Sequence, residues 1–247
     1  MVIEPIERAS VAEEITDRLR SMILRGHLAA GSRLPAEREL ADRFGTNRNT
    51  LREALRTLEA QGLVAVRQGA ASEVLDFRES GNLMLLPFFL REAGFGPALA
   101  ETVRDLYALR REFVVLMARA AAGQTEPERR AAVEQAAAEV AKRRGDTAAV
   151  AAADIGVYRS IVAASRSVVY LWVYNTFAPI FDFLARHAPE GFEFPDDYYA
   201  GIARMAAAIA EGRPEDAARA TQVHLERMDG LSLSLLDMLT SQAKETP

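Results

Sequence analysis

Residues 35–56, PAERELADRFGTNRNTLREALR, decide the fold. Leu40, Phe44, Leu51, Leu55 and Leu58 recur at spacings of three, four or seven, the periodicity of helices that bury one face. Gly45 marks a tight turn between two short helices. Pro35 suits the first helical position, where its missing N–H costs nothing. Glu37 and Glu39 follow, where the positive end of a helix dipole favours acids. Thr46 is expected to cap the second helix, and Asn47, Arg48, Asn49, Thr50 and Arg52 crowd its first turns. In a helix-turn-helix, that end of the second helix enters the major groove. Arginine can grip guanine O6 and N7 together, while Asn and Thr can donate to phosphates or base edges. The stretch is expected to read DNA.

Its surroundings agree. Val11–Arg25 places apolar residues at Val11, Ile15, Leu19, Met22 and Ile23, an amphipathic first helix ending near Gly26. Gly31–Pro35 forms a bend into the next helix. After the second helix, Leu63–Val66 is apolar and β-rich, Arg67–Ala71 is a turn of small residues, and Ser72–Leu75 resumes extended character. Two strands joined by such a turn directly after a recognition helix make a β wing. An ordinary helical bundle with solvated arginines is the plain alternative. The order helix, helix, turn, helix, wing weighs against it.

The chain of 247 residues leaves room for a DNA-binding module and a larger second domain. Hydrophobic residues at 49% and charged ones at 26% describe a globular protein. With no cysteine, disulfides and thiolate metal sites are excluded, and a reducing, cytoplasmic setting is expected. No basic-then-apolar leader is evident. No apolar run of membrane-spanning length lacks a charge or proline, so no membrane partner is expected. The net charge of −5 looks wrong for a nucleic-acid binder until it is divided along the chain. Residues 1–75 hold eleven arginines and eleven acids, so all the excess acid lies further on. Between Thr46 and Gln68, four arginines face only Glu53 and Glu59. The basic footprint is local.

Residues 77–247 read as helix after helix. Ala131–Ala141 and Ala148–Ala153 are strong helix formers. Leu106, Leu109, Arg110, Phe113, Val114 and Met117 define a long amphipathic segment from about Gly96 to Ala122. Breaks are expected at Gly94–Pro97, Gly123–Pro127, Arg144–Asp146, Pro189–Pro195 and Gly212–Pro214. Val168–Tyr174 is β-like in composition, yet its flanks point to a buried helix. The fold class is therefore mainly α. An N-terminal winged helix-turn-helix with a small β wing covers residues 1–76, and a C-terminal all-α bundle covers residues 77–247.

The run GHLAAGSRLPAERELADRFGTNRNTLREALRTLEAQGLV, at residues 26–64, resembles the winged helix of the GntR family without a gap. The resemblance covers about residues 8–76. It implies that Arg38, Arg48 and Arg52 contact an operator and that Asn49 and Thr50 touch phosphate or sugar. Gln68 and Gly69 would lie along the minor groove, with Gln68 standing where relatives carry histidine. Further on, VLDFRESGNLMLLPFFL (74–90), DIGVYRSIVAASRS (154–167) and AIAEGRPEDAARATQVHL (208–225) resemble the effector domain of the FadR subfamily.

Many members of that subfamily hold a divalent metal with one Asp and three His. Here Asp154 and His224 persist, but Tyr158 and Ile202 fall at the other two positions. Two ligands are too few for a tight site, so no metal and no cofactor are expected. The departure is similar to the metal-free, acyl-CoA-binding branch of the subfamily. Arg110 matches a ligand-facing arginine there, and an anion could stabilise it if buried. Phe113, Tyr158, Tyr170, Trp172, Tyr174, Phe177, Phe181, Phe183, Tyr198 and Tyr199 could line an apolar pocket. Val223 and Gly230 depart from that branch. The expected ligand-binding residues are Arg110, Asp154, Tyr158, Tyr174 and His224. The leading effector class is acyl-CoA, followed by a small organic acid, with a metal-dependent carboxylate sensor as the alternative.

An enzyme is the rival from another class. No cysteine nucleophile, G-x-S-x-G, P-loop or G-x-G-x-x-G is present. Lys142 and Lys244 are the only lysines, which leaves little for Schiff-base chemistry. The expected partners are a palindromic double-stranded operator, a second copy of the chain, and a small-molecule effector.

Overall fold

The computed structural model describes residues 11–67, 71–92, 97–186 and 194–245. The chain divides into two compact units, 1–94 and 95–247.

In the first unit, helix α1 (Val11–Leu24) buries Ile15, Leu19 and Ile23, while Val11 stays exposed. Helices α2 (Glu37–Phe44) and α3 (Arg48–Ala60) follow. The turn between them is closed by Gly45 at φ 64°, a left-handed conformation that a side chain would disfavour. Leu40, Leu51, Leu55 and Leu58 join Ile15, Leu19 and Ile23 in one core, with Phe44 packed against it. Pro35 stands further out than expected. Ala36 caps α2, so the proline precedes the helix rather than opening it.

The wing is an antiparallel pair, β1 (Val64–Ala65) and β2 (Glu73–Val74), with Val64 opposite Val74. The bend at 31–35 proves to be a third edge of this sheet. Gly31 N–H donates to Val74 O, Val74 N–H to Ser32 O, and Leu34 N–H to Ser72 O, each at 2.8 Å. A five-residue stretch with glycine and proline at its ends carries no alternation to announce a strand. Its pairing comes from β2.

The first unit also reaches beyond residue 76. Helix α4 (Phe77–Ser80), a 3-10 turn (Leu83–Leu85) and helix α5 (Leu86–Glu92) all belong to it. The physical reason is visible at the end of α3, whose last carbonyls need donors. Ser80 Oγ donates to Gly62 O at 2.7 Å, and Asn82 Nδ2 donates to Ala60 O at 2.8 Å. Gly62 lies so close to Ser80 that an added Cβ would stand 2.0 Å from its carbonyl oxygen. Leu85 completes the core. The first compact unit therefore runs on past the expected boundary at residue 76, as far as Gly94.

The second unit is helical throughout its described residues: α6 (Pro97–Ala122), α7 (Pro127–Ala141), α8 (Thr147–Ala164), α9 (Val168–Arg186), α10 (Asp196–Ala210) and α11 (Pro214–Glu245). The breaks at Gly123–Pro127, Arg144–Asp146 and Gly212–Pro214 fall as expected, and those expected at Gly94–Pro97 and Pro189–Pro195 lie largely outside the described residues. The break between α8 and α9, at Ser165–Ser167, has neither proline nor glycine and turns on Arg166 at φ 59°. Asp146 caps α8 by accepting from Ala149 N–H at 3.0 Å. Helix α11 packs along α6 and α10, and α7 packs on α8 and α10. Alanines such as Ala118, Ala121, Ala206 and Ala217 let the helices approach closely around Met117, Ile161, Ile202, Met205 and Leu225. Helix α8 is long and apolar enough to cross a membrane by length and composition. It carries Asp154 and Arg159, and its Val150, Val157 and Ile161 are fully buried in the bundle. Val168–Tyr174 does open a helix, but not a buried one. Val168, Val169, Leu171 and Trp172 are all exposed.

Candidate functional site

Two groups of side chains stand out, one exposed on the first unit and one inside the second. In the first unit the start of α3 is built by Asn47, whose side-chain oxygen accepts from Asn49 N–H at 2.9 Å and Thr50 N–H at 3.0 Å. Thr46 was the expected cap, yet it donates its own backbone N–H to Ala41 O at 3.0 Å and so finishes the α2 turn. The difference is one residue of register. Asn47 has the extended backbone (φ −88°, ψ 160°) that an N-cap needs.

Arg38, Arg48, Asn49 and Arg52 are exposed, and Thr46 and Thr50 are half-buried. Arg52 Nε donates to Glu37 Oε2 at 2.8 Å, which ties α3 to α2 and fixes the guanidinium's direction. Gln68 and Gly69 lie outside the described residues, so the wing tip has no placement here.

In the second unit the polar group is interior. Arg110 of α6 and its neighbour Arg111 share the buried carboxylate of Asp229 on α11. Arg110 Nη2 pairs with Asp229 Oδ1, and Arg111 Nη1 with Oδ2 at 2.9 Å. The Arg110 guanidinium also lies 4.7 Å from the Tyr107 ring and 4.8 Å from that of Phe181. Asp154 of α8 accepts from the Tyr198 hydroxyl at 2.8 Å. Burial pushes the Asp154 carboxyl up to about 6, against the opposing effects of that hydrogen bond and of Arg110. Burial likewise raises the Tyr158 phenol, so it stays neutral. His224 packs against Tyr198 at 5.5 Å between ring centroids, and burial, helped by Arg110 and Arg204, pushes it down to about 4.

Neither ring nitrogen of His224 has a hydrogen-bond partner, and Arg110 Nε has none either. Buried polar atoms left in this state cost free energy, so they are informative.

The structure therefore brings Arg110, Asp154, Tyr158 and His224 into one region, but Asp154 bonds Tyr198 rather than His224. Tyr174 has a structural task. Its hydroxyl donates to Ile155 O at 2.9 Å and ties α9 to α8. The ten aromatics do not form one wall. Trp172 is 64% exposed, Phe113 packs on Tyr170 and Phe177, Tyr198 meets Tyr199 edge to face, and the Phe183 side chain lies outside the described residues. A metal does not fit this donor set. Ile202 is apolar, Asp154 is engaged by Tyr198, and among the described residues no three His, Cys, Asp or Glu side chains gather.

Against known proteins, "Bacterial regulatory proteins, gntR family" matches residues 11–74, and the FCD domain matches residues 105–227. The chain is 32% identical over 247 residues to the HTH-type transcriptional regulator Mce2R of Mycobacterium tuberculosis, covering 98% of this chain and 99% of that one. The chain belongs to the GntR family.

With a GntR-type reading head followed by an effector-binding FCD domain, it falls in the FadR subfamily. Like its relatives it is a DNA-binding transcriptional regulator and not an enzyme. It is 28% identical to the fatty acid metabolism regulator protein of Klebsiella pneumoniae over 208 residues, 83% of each chain. The fold is also similar to the solved structure of Lar, which controls expression of the Listeria monocytogenes agr system. That likeness has a TM-score of 0.54 at 17% identity and covers 93% of this chain and all of Lar.

Sequence reasoning missed Asp229, Tyr107 and Arg111, and named Tyr198 only as one of ten possible pocket aromatics, not as the partner of Asp154. Asp229 did leave a signal. It sits four residues after the buried Leu225, on the stripe Ala217, Thr221, Leu225 that α11 turns inward. A carboxylate there must have a partner.

Proposed function

We propose that this GntR-family regulator binds a palindromic operator as a homodimer and that a small anionic effector, taken up beside Arg110, changes its affinity for DNA. The observation that carries the effector half is the set of buried, unpartnered nitrogens on Arg110 and His224. They are donors and acceptors held inside the bundle with their desolvation already met, and an anionic ligand would satisfy them. Two guanidiniums share one carboxylate at Asp229, which leaves them capacity for a second anion.

Fatty acyl-CoA is the leading class, supported by the likeness to fatty acid metabolism regulators. A small carboxylate is the second reading, favoured by the concentration of polar groups around Arg110. The DNA half rests on Arg38, Arg48, Asn49, Thr50 and Arg52 at the exposed end of α2–α3, with Thr46 beside them; the sequence resemblance adds Gln68 and Gly69. Two copies related by a two-fold axis would place two such helices on two half-sites. A regulator of chromosomal operators works in the cytoplasm.

Fluorescence anisotropy on a selected, labelled operator tests both halves. Arg48→Ala should lose about 1–3 kcal/mol of operator affinity and relax preference at one base pair. Arg110→Ala should bind the operator nearly as wild type does, yet release it less in response to long-chain acyl-CoA or an active organic acid. By linkage, the factor by which an effector weakens DNA binding equals its preference for the DNA-free protein. Equal release of wild type and Arg110→Ala would remove Arg110 from the effector site. Wild-type affinity in Arg48→Ala would displace the proposed reading head.

A further inference from the structure

The outer face of α9 has no role in the site described above. Val168 and Val169 are each 55% exposed and Trp172 is 64% exposed, with Leu171 beside them. Tyr170, Tyr174 and Phe177 point the other way, into the bundle. The outward side of the helix continues through Asn175, Thr176 and Pro179, all exposed and all uncharged. From Ser167 to Phe181 there is no charged residue, in a chain where 26% of residues are charged. The apolar surface continues onto α6. Phe113 packs on Tyr170 and Phe177 of α9, and its neighbours one turn away, Leu109 and Leu116, are exposed.

We propose that this α9–α6 face is where a second copy of the chain docks, with α9 meeting α9 across a two-fold axis. The inference rests on the homodimer reading above and gives it a location. Charge favours a second copy over a different partner. In a two-fold contact each residue near the axis meets its own counterpart, so any charge there would face its like; the α9 part of the face, free of charge, is self-complementary, while the exposed Glu112, between Leu109 and Leu116 on α6, falls away from the α9–α9 axis. Area agrees. At these exposures the six apolar side chains present on the order of 500 Å², close to the apolar share of a homodimer interface of about 800 Å² per partner. A patch of that size is toward the upper end of what a monomer leaves open to water, and patches of that size are often functional. Trp172, at the centre of the patch, is the residue type that most often dominates such contacts.

Sedimentation equilibrium on the full chain tests the proposal. Wild type should be dimeric, and Trp172→Asp should raise the dimer dissociation constant at least about 100-fold with an unchanged far-UV circular dichroism spectrum. Val169→Asp should do the same to a smaller degree. A second approach uses the absence of native cysteine. Under mild oxidation, Trp172→Cys and Thr176→Cys should give covalent dimers, whereas Glu128→Cys on the exposed side of α7 should not. A dimeric wild type with a Trp172→Asp variant of equal dissociation constant would overturn the α9 face and leave the homodimer in place. Cross-linking at Glu128→Cys as efficient as at α9 would do likewise. A monomeric wild type would overturn both, without touching the effector response read by DNA release.

Discussion

Arg52 and Arg110 are both arginines paired to an acid on another helix, and they differ in almost every other respect. Arg52 sits on an exposed helix end, and its Glu37 partner leaves the rest of the guanidinium facing water. Such a pair contributes roughly 0–1 kcal/mol and can rearrange when a phosphate or a base edge arrives. Arg110 is enclosed, shares Asp229 with Arg111, and keeps one nitrogen without a partner. An enclosed cation cannot be left alone without large cost. The first arrangement suits a surface that must accept many geometries along DNA. The second suits a site that distinguishes occupied from empty.

The largest break of this comparison comes at Asp229. Asp229→Ala leaves two guanidiniums with no counter-charge in a partly closed interior, and should cost about 3–5 kcal/mol of unfolding free energy. Arg110→Met is milder, about 1–2 kcal/mol, because Arg111 still neutralises Asp229. Glu37→Ala, the surface counterpart, should fall within roughly 0.5 kcal/mol of wild type. Urea titration of the three variants gives the ranking. A loss in Asp229→Ala no greater than in Glu37→Ala would mean that the interior cluster is solvated like the surface.

The second effect concerns pH, and the interior should show it most. Asp154, near 3.8 in the unfolded chain, is raised to about 6, so its stabilising contribution is complete below about 3.8 and is lost as pH rises through 6. His224, near 6.5 unfolded, is lowered to about 4. Its contribution is complete above about 6.5 and is lost as pH falls through 4. Between pH 4 and 6 the two slopes oppose one another, and each is worth on the order of 3 kcal/mol across its window. These two contributions should therefore nearly cancel there, with Asp229, whose carboxyl burial also raises, adding to the falling side. Asp154→Asn keeps an acceptor for Tyr198 and should expose the histidine slope, with stability rising with pH. His224→Phe should expose the opposite slope. Thermal unfolding across that pH range checks both, and parallel profiles for the two variants would contradict the assignment.

The same contrast explains what could be read in advance. The helix-turn-helix was legible because its information is local. Leu51, Leu55 and Leu58 at helical spacing and Gly45 at φ 64° leave few other folds for that stretch. Most helix boundaries of the bundle followed from prolines and glycines for the same reason, but the one at Ser165–Ser167, where Arg166 takes φ 59°, has neither and was not legible. What escaped depends on distant partners. The edge at Gly31–Leu34 exists only because β2 pairs with it, and Ser80 and Asn82 join the first unit only because α3 ends in open carbonyls. Trp172 was expected in the core because aromatics usually are, and no local signal says that α9 turns it outward. In the interior cluster, Arg110 and His224 were visible as types, but Asp229 and Tyr198 had to be brought to them by α11 and α10.

The smallest effect tests the surface side of the comparison at one residue of register. Asn47 closes the start of α3 by accepting two backbone N–H groups, whereas Thr46 completes the preceding turn through its own backbone. Asn47→Ala should then cost about 1 kcal/mol of stability, and Thr46→Ala no more than a few tenths. The loss has a functional side, because Arg48 and Asn49 occupy the first turn that Asn47 holds in place. An uncapped start frays, and the operator must re-order it on binding, so Asn47→Ala should weaken operator affinity by a factor similar to its loss of helix stability. Asn47→Asp separates capping from DNA contact. It restores the cap and complements the helix dipole, but places a negative charge beside the phosphates. Its unfolding temperature should match or exceed wild type while its operator affinity falls, most steeply at low salt. If Thr46→Ala proved the more destabilising of the two single variants, the start of the recognition helix would lie one residue earlier, and Arg48 would face a different part of the groove.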